Sequence, residues 1–333
     1  MVFIFSGCDV FYGSYYIYGF QKHFGKGKVK FSTKRFPSNL KQRTFAAIIH
    51  LNNKEKKIII DSDDSDAIDK DALQWCDAYY KVNLNFNTNH PKLVSIGPSF
   101  GIKIWSSPEM LFCAAKNYLS YKKRLTNWKQ FFICYYKQNE RLPLSEYLND
   151  EKPGRYVFFT STLWKKEPVS NNLRRNFIKA CKEITEIKFE GGFTPRKRKE
   201  IQGYEDDTVD RLYPLKEYLN KIKKSVVVFN TPVVLNCHGW KLAEFMAMKK
   251  AIISTKISNQ LPEPLEDGKN IVSTTGEIAD IKKAILSVIE NPEYHESLQN
   301  NAFEYYNKYL SPLAVITKII TDKYPHQNMS VHE

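Results

Sequence analysis

Between Ser225 and Ser254 the chain runs through an apolar strand, SVVVFNTPVVLNC, then a His238-Gly239-Trp240-Lys241 turn, a short helix with a single acid, Glu244, and a second apolar strand, Ala251-Ile252-Ile253-Ser254. No other stretch constrains the fold as much. Strands joined through a helix pair in parallel, which sets the glycine turn at the carboxyl end of the first strand, beside a helix N-terminus. Backbone N–H groups there lack intrahelical partners and the helix dipole is positive, so a phosphate is the ligand that suits the place.

On a helical wheel Leu242, Phe245 and Met246 share one side, and Glu244 projects roughly opposite. One turn inside a helix that holds phosphate, such a carboxylate can accept both hydroxyls of a ribose, each charged bond contributing roughly 1.5 to 3 kcal/mol. The plainer alternative is a surface pair with Lys241, about 0.2 to 0.5 kcal/mol. Spacing leaves both open.

The stretch resembles the C-terminal signature of GT-B-fold glycosyltransferases of the retaining, group 1 type: a glutamate, seven residues, a second glutamate, a small-residue helix and an apolar strand. Asn236, seven residues and Glu244 fit that spacing, followed by Phe245-Met246-Ala247-Met248-Lys249-Lys250-Ala251-Ile252-Ile253. Ser258-Asn259-Gln260-Leu261-Pro262 and Glu266-Asp267-Gly268-Lys269-Asn270 are similar to the donor-side loop and the turn that follow in the family. The resemblance covers about residues 155 to 310. It departs at two points, since Asn236 replaces the first glutamate and Lys249-Lys250 stands where the family has a glycine.

What the resemblance implies is an α/β chain of two Rossmann-like domains facing across a cleft. Residues 1–150 form an acceptor-binding domain, 151–310 a nucleotide-sugar-binding domain, and 311–333 a helix returning to the first domain, with a tail. The implied reaction moves a sugar from a nucleotide-diphosphate sugar to a hydroxyl of a glycan or lipid-linked glycan in cell-surface polysaccharide synthesis, with no metal and no further cofactor. Glu244 holds the donor ribose; Asn236 approaches the transferred sugar as an amide without charge; His238, Gly239, Trp240 and Lys241 adjoin the donor.

After the strand Arg155 to Phe159, the loop Thr160-Ser161-Thr162-Leu163-Trp164-Lys165-Lys166 lies where family members place cations that neutralise the departing pyrophosphate. Lys165 and Lys166 are the candidates, with Thr160 and Ser161 beside them and Arg174 and Arg175 in reserve. An exposed lysine pair serving solubility is the alternative.

In the first half, strands are expected at Val2 to Phe5, Val29 to Phe31, Ala46 to His50, Lys57 to Ile60, Ala78 to Val82 and Leu93 to Ile96, in parallel sheets. Asp61-Ser62-Asp63-Asp64-Ser65-Asp66 follows the fourth. Asp63 is a candidate base and Asp64 an acceptor contact; a helix N-cap cluster and a divalent-metal site are the alternatives. A Gly13 loop after the first strand, and Ser99 within Gly97-Pro98-Ser99-Phe100-Gly101, are candidates for the acceptor side, a plain turn being the alternative for the latter.

Fifty Lys and Arg against 36 Asp and Glu give a net charge of +14, which suits an anionic partner. Pro108 to Tyr136 interleaves aromatics and cations as a helix pair. This reads either as peripheral contact with an anionic membrane or as a solvated basic face over an aromatic core. No nucleic-acid reader motif accompanies the charge, so nucleic acid is not an expected partner. Asp9 and the lack of a basic start argue against a leader, and a cytoplasmic protein, peripheral on the inner face of the membrane, is expected. Six cysteines without a C-x-x-C pair read as reduced thiols. A sugar-nucleotide epimerase or a non-catalytic nucleotide- or glycan-binding partner would carry the same donor site.

Overall fold

The computed structural model describes residues 1–148, 151, 153–196 and 201–322. Residues 149, 150 and 152, at the domain boundary expected after residue 150, and residues 323–333, the end of the expected returning segment, lie outside them. The chain divides into two compact units, one of Met1–Leu144 with Gln260–Pro262 and the stretch from Tyr309, the other of Ser145–Asn259 with Glu263–Lys308.

The first unit opens with β1 (Val2–Phe5), α1 (Val10–Phe24), β2 (Val29–Ser32), β3 (Phe45–Leu51) and β4 (Lys54–Asp61). It continues with α2 (Lys70–Trp75), β5 (Ala78–Lys81), β6 (Leu93–Ser95), α3 (Ser107–Tyr121) and α4 (Trp128–Asn139). All six expected strands are present. Their sheet, ordered β2-β1-β3-β4-β5-β6, is mixed rather than parallel, because β3 runs antiparallel to both neighbours. The cause is local: Asn52 (φ 47°) and Asn53 (φ 61°) close a two-residue hairpin between β3 and β4. Two left-handed central residues are the turn that matches strand twist, and asparagine tolerates that region.

Gly13 lies in the first turn of α1 rather than in a loop. Asp9 starts the helix early by accepting from the N–H groups of Phe11 (3.0 Å) and Tyr12 (3.4 Å). A β-carbon on Gly13 would come within 2.6 Å of the Phe45 ring, so the glycine lets α1 lie close on the sheet.

The second unit contains β7 (Tyr156–Thr162), α5 (Pro168–Glu183), β8 (Lys188–Thr194), α6 (Leu215–Lys224) and β9 (Val227–Asn230). Then follow α7 (Trp240–Ala247), β10 (Ala251–Ser254), β11 (Val272–Ser273), α8 (Ile278–Ile289) and α9 (Pro292–Tyr305). Here the pairing is parallel, β7 with β8 and β9-β10-β11. The Val226 N–H donates to Tyr156 O at 2.7 Å, which ties β9 to β7. The expected strand from Ser225 to Cys237 ends at Asn230, since Pro232 cannot donate to a ladder. Leu235 (φ 55°) and Asn236 (φ 58°) then turn the chain through the left-handed region before α7. Thr160 and Ser161 are not in a loop: β7 runs on to Thr162 against Gly192, Phe193 and Thr194.

The last helix among the described residues, α10 (Pro312–Thr321), packs on α1 in the first unit. The Tyr15 hydroxyl donates to Leu310 O at 2.7 Å, and buried Lys56 donates to the carbonyls of Ile319 (2.7 Å) and Asp322 (2.9 Å). A cation at that end satisfies carbonyls the helix leaves unpaired. At Gly19 a β-carbon would meet Pro312 O at 2.4 Å. Gly19→Val is therefore expected to cost about 1–3 kcal/mol through overpacking, seen as a lower urea midpoint. An unchanged midpoint would mean that the α1 to α10 contact contributes little.

Candidate functional site

A cavity of about 310 Å³ opens in the second unit at the carboxyl ends of β7 and β9. Three sides chiefly form it: Thr160, Ser161 and Thr162 of β7; Asn230 and Thr231 after β9; and Gly239, Trp240 and Lys241 at the start of α7. Gly239 occupies the N-cap with extended backbone, and no side chain caps the helix. The dipole of α7 thus faces the cavity with its positive end.

Two cations reach this space. Arg174, buried, donates through Nε to Thr231 Oγ1 (3.1 Å), through Nη1 to Thr162 O and through Nη2 to Pro232 O, both at 3.3 Å. Desolvation lowers its pKa to about 10. Lys241 Nζ donates to Thr160 O and lies 5.3 Å from the Phe159 ring centroid and 5.8 Å from that of Tyr218. Desolvation, with nearby Arg174 adding to it, pulls the Lys241 ammonium down to about 7, while the Glu244 charge works the other way. Thr160 Oγ1 is buried without a hydrogen-bond partner. A buried hydroxyl left so costs about 1–3 kcal/mol, a cost that an oxygen of a bound anion would remove.

A second cavity, about 390 Å³, belongs to the first unit. Its lining includes Asp9, Tyr12, Gly13, Arg43, Asp61, Asp63 and Tyr79. Asp61 is its anchor, accepting from the fully buried Lys81 Nζ (2.8 Å), the Tyr79 hydroxyl (2.7 Å) and the Asp63 N–H (2.9 Å). Arg43 Nε donates to Asp9 at 2.9 Å. Desolvation and then the neighbouring Asp61 charge raise the Asp63 pKa. Among the described residues, no group of three or more His, Cys, Asp or Glu is placed to hold a metal.

No family model matches the chain. No curated protein matches it either. Among solved structures it is similar to the C-terminal domain of a glycosyl transferase group 1 family protein from Francisella tularensis, at 16% identity over 50% of this chain and 97% of that one, TM-score 0.36. It is similar also to Anabaena HepE in complex with UDP (14%, 75% and 79%, TM-score 0.42). A third is the UDP-GlcNAc 2-epimerase of Neisseria meningitidis bound to UDP-GlcNAc (13%, 74% and 62%, TM-score 0.39). With scores this low, the chemistry of the site rests on its own geometry.

Of the residues singled out from sequence, Thr160, Ser161, Gly239, Trp240 and Lys241 line the first cavity, and Gly13 and Asp63 the second. Lys165 and Lys166 are exposed on the loop beyond β7 and line neither; Arg174 stands in the cavity instead. Glu244 does not project away from the buried side: α7 lies against both β9 and α9, and every residue from Leu242 to Ala247 is buried. Neither Glu244 nor buried His238 is in the cavity lining, and Asn236 is exposed. Ser99 is buried against the Tyr16 hydroxyl (3.0 Å), and Asp64 is exposed outside the second cavity's lining. The cluster from Asp61 to Asp66 does not cap a helix; Asp69 caps α2. Gln260, read as part of a donor-side loop, belongs to the first unit, where its N–H donates to Leu84 O at 2.8 Å. Sequence reasoning missed Tyr12, Arg43, Tyr79 and Lys81, which are far apart in the chain and meet only through the mixed sheet.

Proposed function

We propose that this protein is a glycosyltransferase of the GT-B type, which moves a sugar from a nucleoside-diphosphate sugar to a hydroxyl of a glycan or lipid-linked glycan. One observation carries the reading: an uncapped helix N-terminus, two desolvated cations and a partnerless buried hydroxyl converge on one cavity of the second unit. That set suits a diphosphate, whose two negative charges grow as the sugar leaves. In the reaction the bond from the anomeric carbon to the diphosphate oxygen breaks, and a bond from that carbon to the acceptor oxygen forms. Lys241 and Arg174 offset the charge on the leaving diphosphate. Asp63, with its raised pKa and its place in the cavity of the first unit, is assigned to take the acceptor hydroxyl's proton. Cell-surface polysaccharide synthesis is the process this chemistry would serve.

The test is a thermal-shift panel of UDP, GDP, CDP and dTDP with their sugar conjugates, on wild type and Thr160→Val. Wild type is expected to be stabilised by one base family, by about 2.7 kcal/mol at a hundredfold excess over Kd. The variant, unable to bond a phosphate oxygen at that position, should gain clearly less. No shift with any nucleotide would sink the reading. Release of free nucleotide only when a glycan is added supports transfer; conversion of the sugar nucleotide alone would make the protein an epimerase, and binding without turnover a non-catalytic partner.

The resemblance implies a ribose role for Glu244, which is buried outside the cavity lining, and inorganic pyrophosphate separates that role from an action through Lys241. Glu244→Ala is expected to lose about tenfold or more in nucleoside-diphosphate affinity while keeping that for pyrophosphate. Equal losses for both ligands would take Glu244 off the ribose.

A further inference from the structure

Lys56, Lys81 and Lys250 are buried lysines whose ammonium groups are closed in by protein. Lys81 lies 2.8 Å from Asp61, Lys56 donates to the carbonyls of Ile319 and Asp322, and Lys250 donates to Lys223 O at 2.8 Å. Lys241 differs from all three. Its Nζ donates to a carbonyl, Thr160 O, between the rings of Phe159 and Tyr218, and the side chain lines the cavity at the carboxyl ends of β7 and β9. A ligand in that cavity therefore meets an amine that no carboxylate holds.

The surroundings of this amine favour its neutral form. Burial penalises the charge, Arg174 on α5 repels it, and Glu244 on α7 works the other way; β7 supplies the Thr160 carbonyl and α6 the Tyr218 ring. Near pH 7 about half of the Lys241 side chains are neutral, against about one in 2,500 for an ordinary lysine. A lysine desolvated among apolar groups and beside another cation is the arrangement that turns an amine into a nucleophile for carbonyl carbon. Lys250 is desolvated as well, but it is fully buried and no ligand reaches it.

The same cavity suits an anion, through the uncapped N-terminus of α7, the Arg174 guanidinium and the partnerless Thr160 hydroxyl. We propose that Lys241 captures aldehydes that carry a phosphate, as a reversible imine that closes the cavity to nucleotides. The phosphate rests on α7, Arg174 and Thr160, and the carbonyl carbon meets Nζ. The nitrogen lone pair attacks that carbon, the carbonyl oxygen takes up protons and leaves as water, and nitrogen loses its two hydrogens to form the C=N bond. Nothing is oxidised or reduced, and hydrolysis reverses the step. This goes beyond sugar transfer and rests on the anion-suited cavity of the proposed donor site.

The experiment treats the full chain with pyridoxal 5′-phosphate, with glyceraldehyde 3-phosphate and, for an aldehyde without phosphate, with pyridoxal. Borohydride then adds hydride to the imine carbon, nitrogen takes a proton from water, and peptide mass spectrometry reads the secondary amine. The phosphorylated aldehydes are expected to mark Lys241 before the exposed Lys165 and Lys166, at about a tenth of the pyridoxal concentration. Marking of Lys241 should level off above about pH 8, where an ordinary lysine is still almost wholly charged. Inorganic pyrophosphate should protect Lys241 and leave the exposed pair unprotected. Thr160→Val should remove most of the preference for phosphate while pyridoxal still marks Lys241, and Lys241→Met should lose the mark and keep the wild-type melt. Capture of only one phosphorylated aldehyde supports the proposal and identifies which source the site takes. Marking of Lys241 no faster than Lys165 and Lys166, no preference for phosphate, or no protection by pyrophosphate overturns it. Capture with no thermal shift from any nucleotide would sink the glycosyltransferase reading and leave this one standing; nucleotide binding without capture would do the reverse.

Discussion

Lys241→Met is expected to weaken binding of a nucleoside-diphosphate sugar by about tenfold to a hundredfold, the worth of one charged hydrogen bond in a desolvated place. Methionine keeps the length of the side chain and its packing against Phe159 and Tyr218, so the loss measures charge rather than a hole. The stronger signature is in pH. In the free protein Lys241 sits at about 7, because burial penalises its charged form and Arg174 repels it. A diphosphate diester keeps both charges across the neutral range and binds the protonated lysine. Below about pH 6.5 that form is ready; above about pH 7.5 the protein must take up a proton to bind. Affinity of wild type should therefore fall as pH rises, about tenfold between about pH 6.5 and about pH 8.3, and Lys241→Met should be flat over the same range. Glu244→Gln removes the charge that favours protonation and should move the wild-type fall to lower pH. Titration calorimetry reads all three. A methionine variant with wild-type affinity, or with the wild-type slope, would remove Lys241 from the phosphate role.

The strand–turn–helix–strand around α7 was legible because its apolar runs, its glycine and its helix are contiguous. The lining residues Gly239, Trp240 and Lys241 came out of that short range. Where the reading of residues failed, tertiary packing had decided. Glu244 looks exposed on a wheel that knows one buried side, but α7 has two neighbours. Lys165 and Lys166 follow β7 closely in sequence, yet β7 extends three residues further than its apolar run and carries them past the cavity. Arg174 reaches the space from the second turn of α5, which only the helix's seat on β7 determines. The antiparallel hairpin was written in Asn52-Asn53, a signal that the run of apolar strands on both sides obscured. Asp61 and Lys81 end two strands 20 residues apart, and no local pattern pairs them.

That pair carries the largest expected effect on stability. Lys81 is fully buried, its ammonium is 2.8 Å from Asp61, and Tyr79 donates to the same carboxylate oxygen at 2.7 Å. β4 and β5 run parallel with Asp61 opposite Lys81, so the sheet register itself brings the charges together. Lys81→Met fills the space but leaves a carboxylate at the sheet end with its cation gone, and breaking a buried pair from one side costs about 3–5 kcal/mol. That is of the order of a whole domain's stability, and the first unit should melt well below the second. Asp61→Leu in the same background removes the stranded charge and should recover most of the loss, because the cost lies in the unpaired ion rather than in the missing attraction. Scanning calorimetry distinguishes the outcomes: two separated transitions for Lys81→Met, converging again in the double variant. A single variant that melts like wild type would mean water already serves Asp61, and the pair would then be a surface contact that contributes under about 1 kcal/mol. The double variant also isolates the cavity of the first unit from its fold. With Asp61 and Lys81 both gone, the charge that helps raise the Asp63 pKa and the charge that opposes it leave together, and donor affinity in the second unit should stay at the wild-type value.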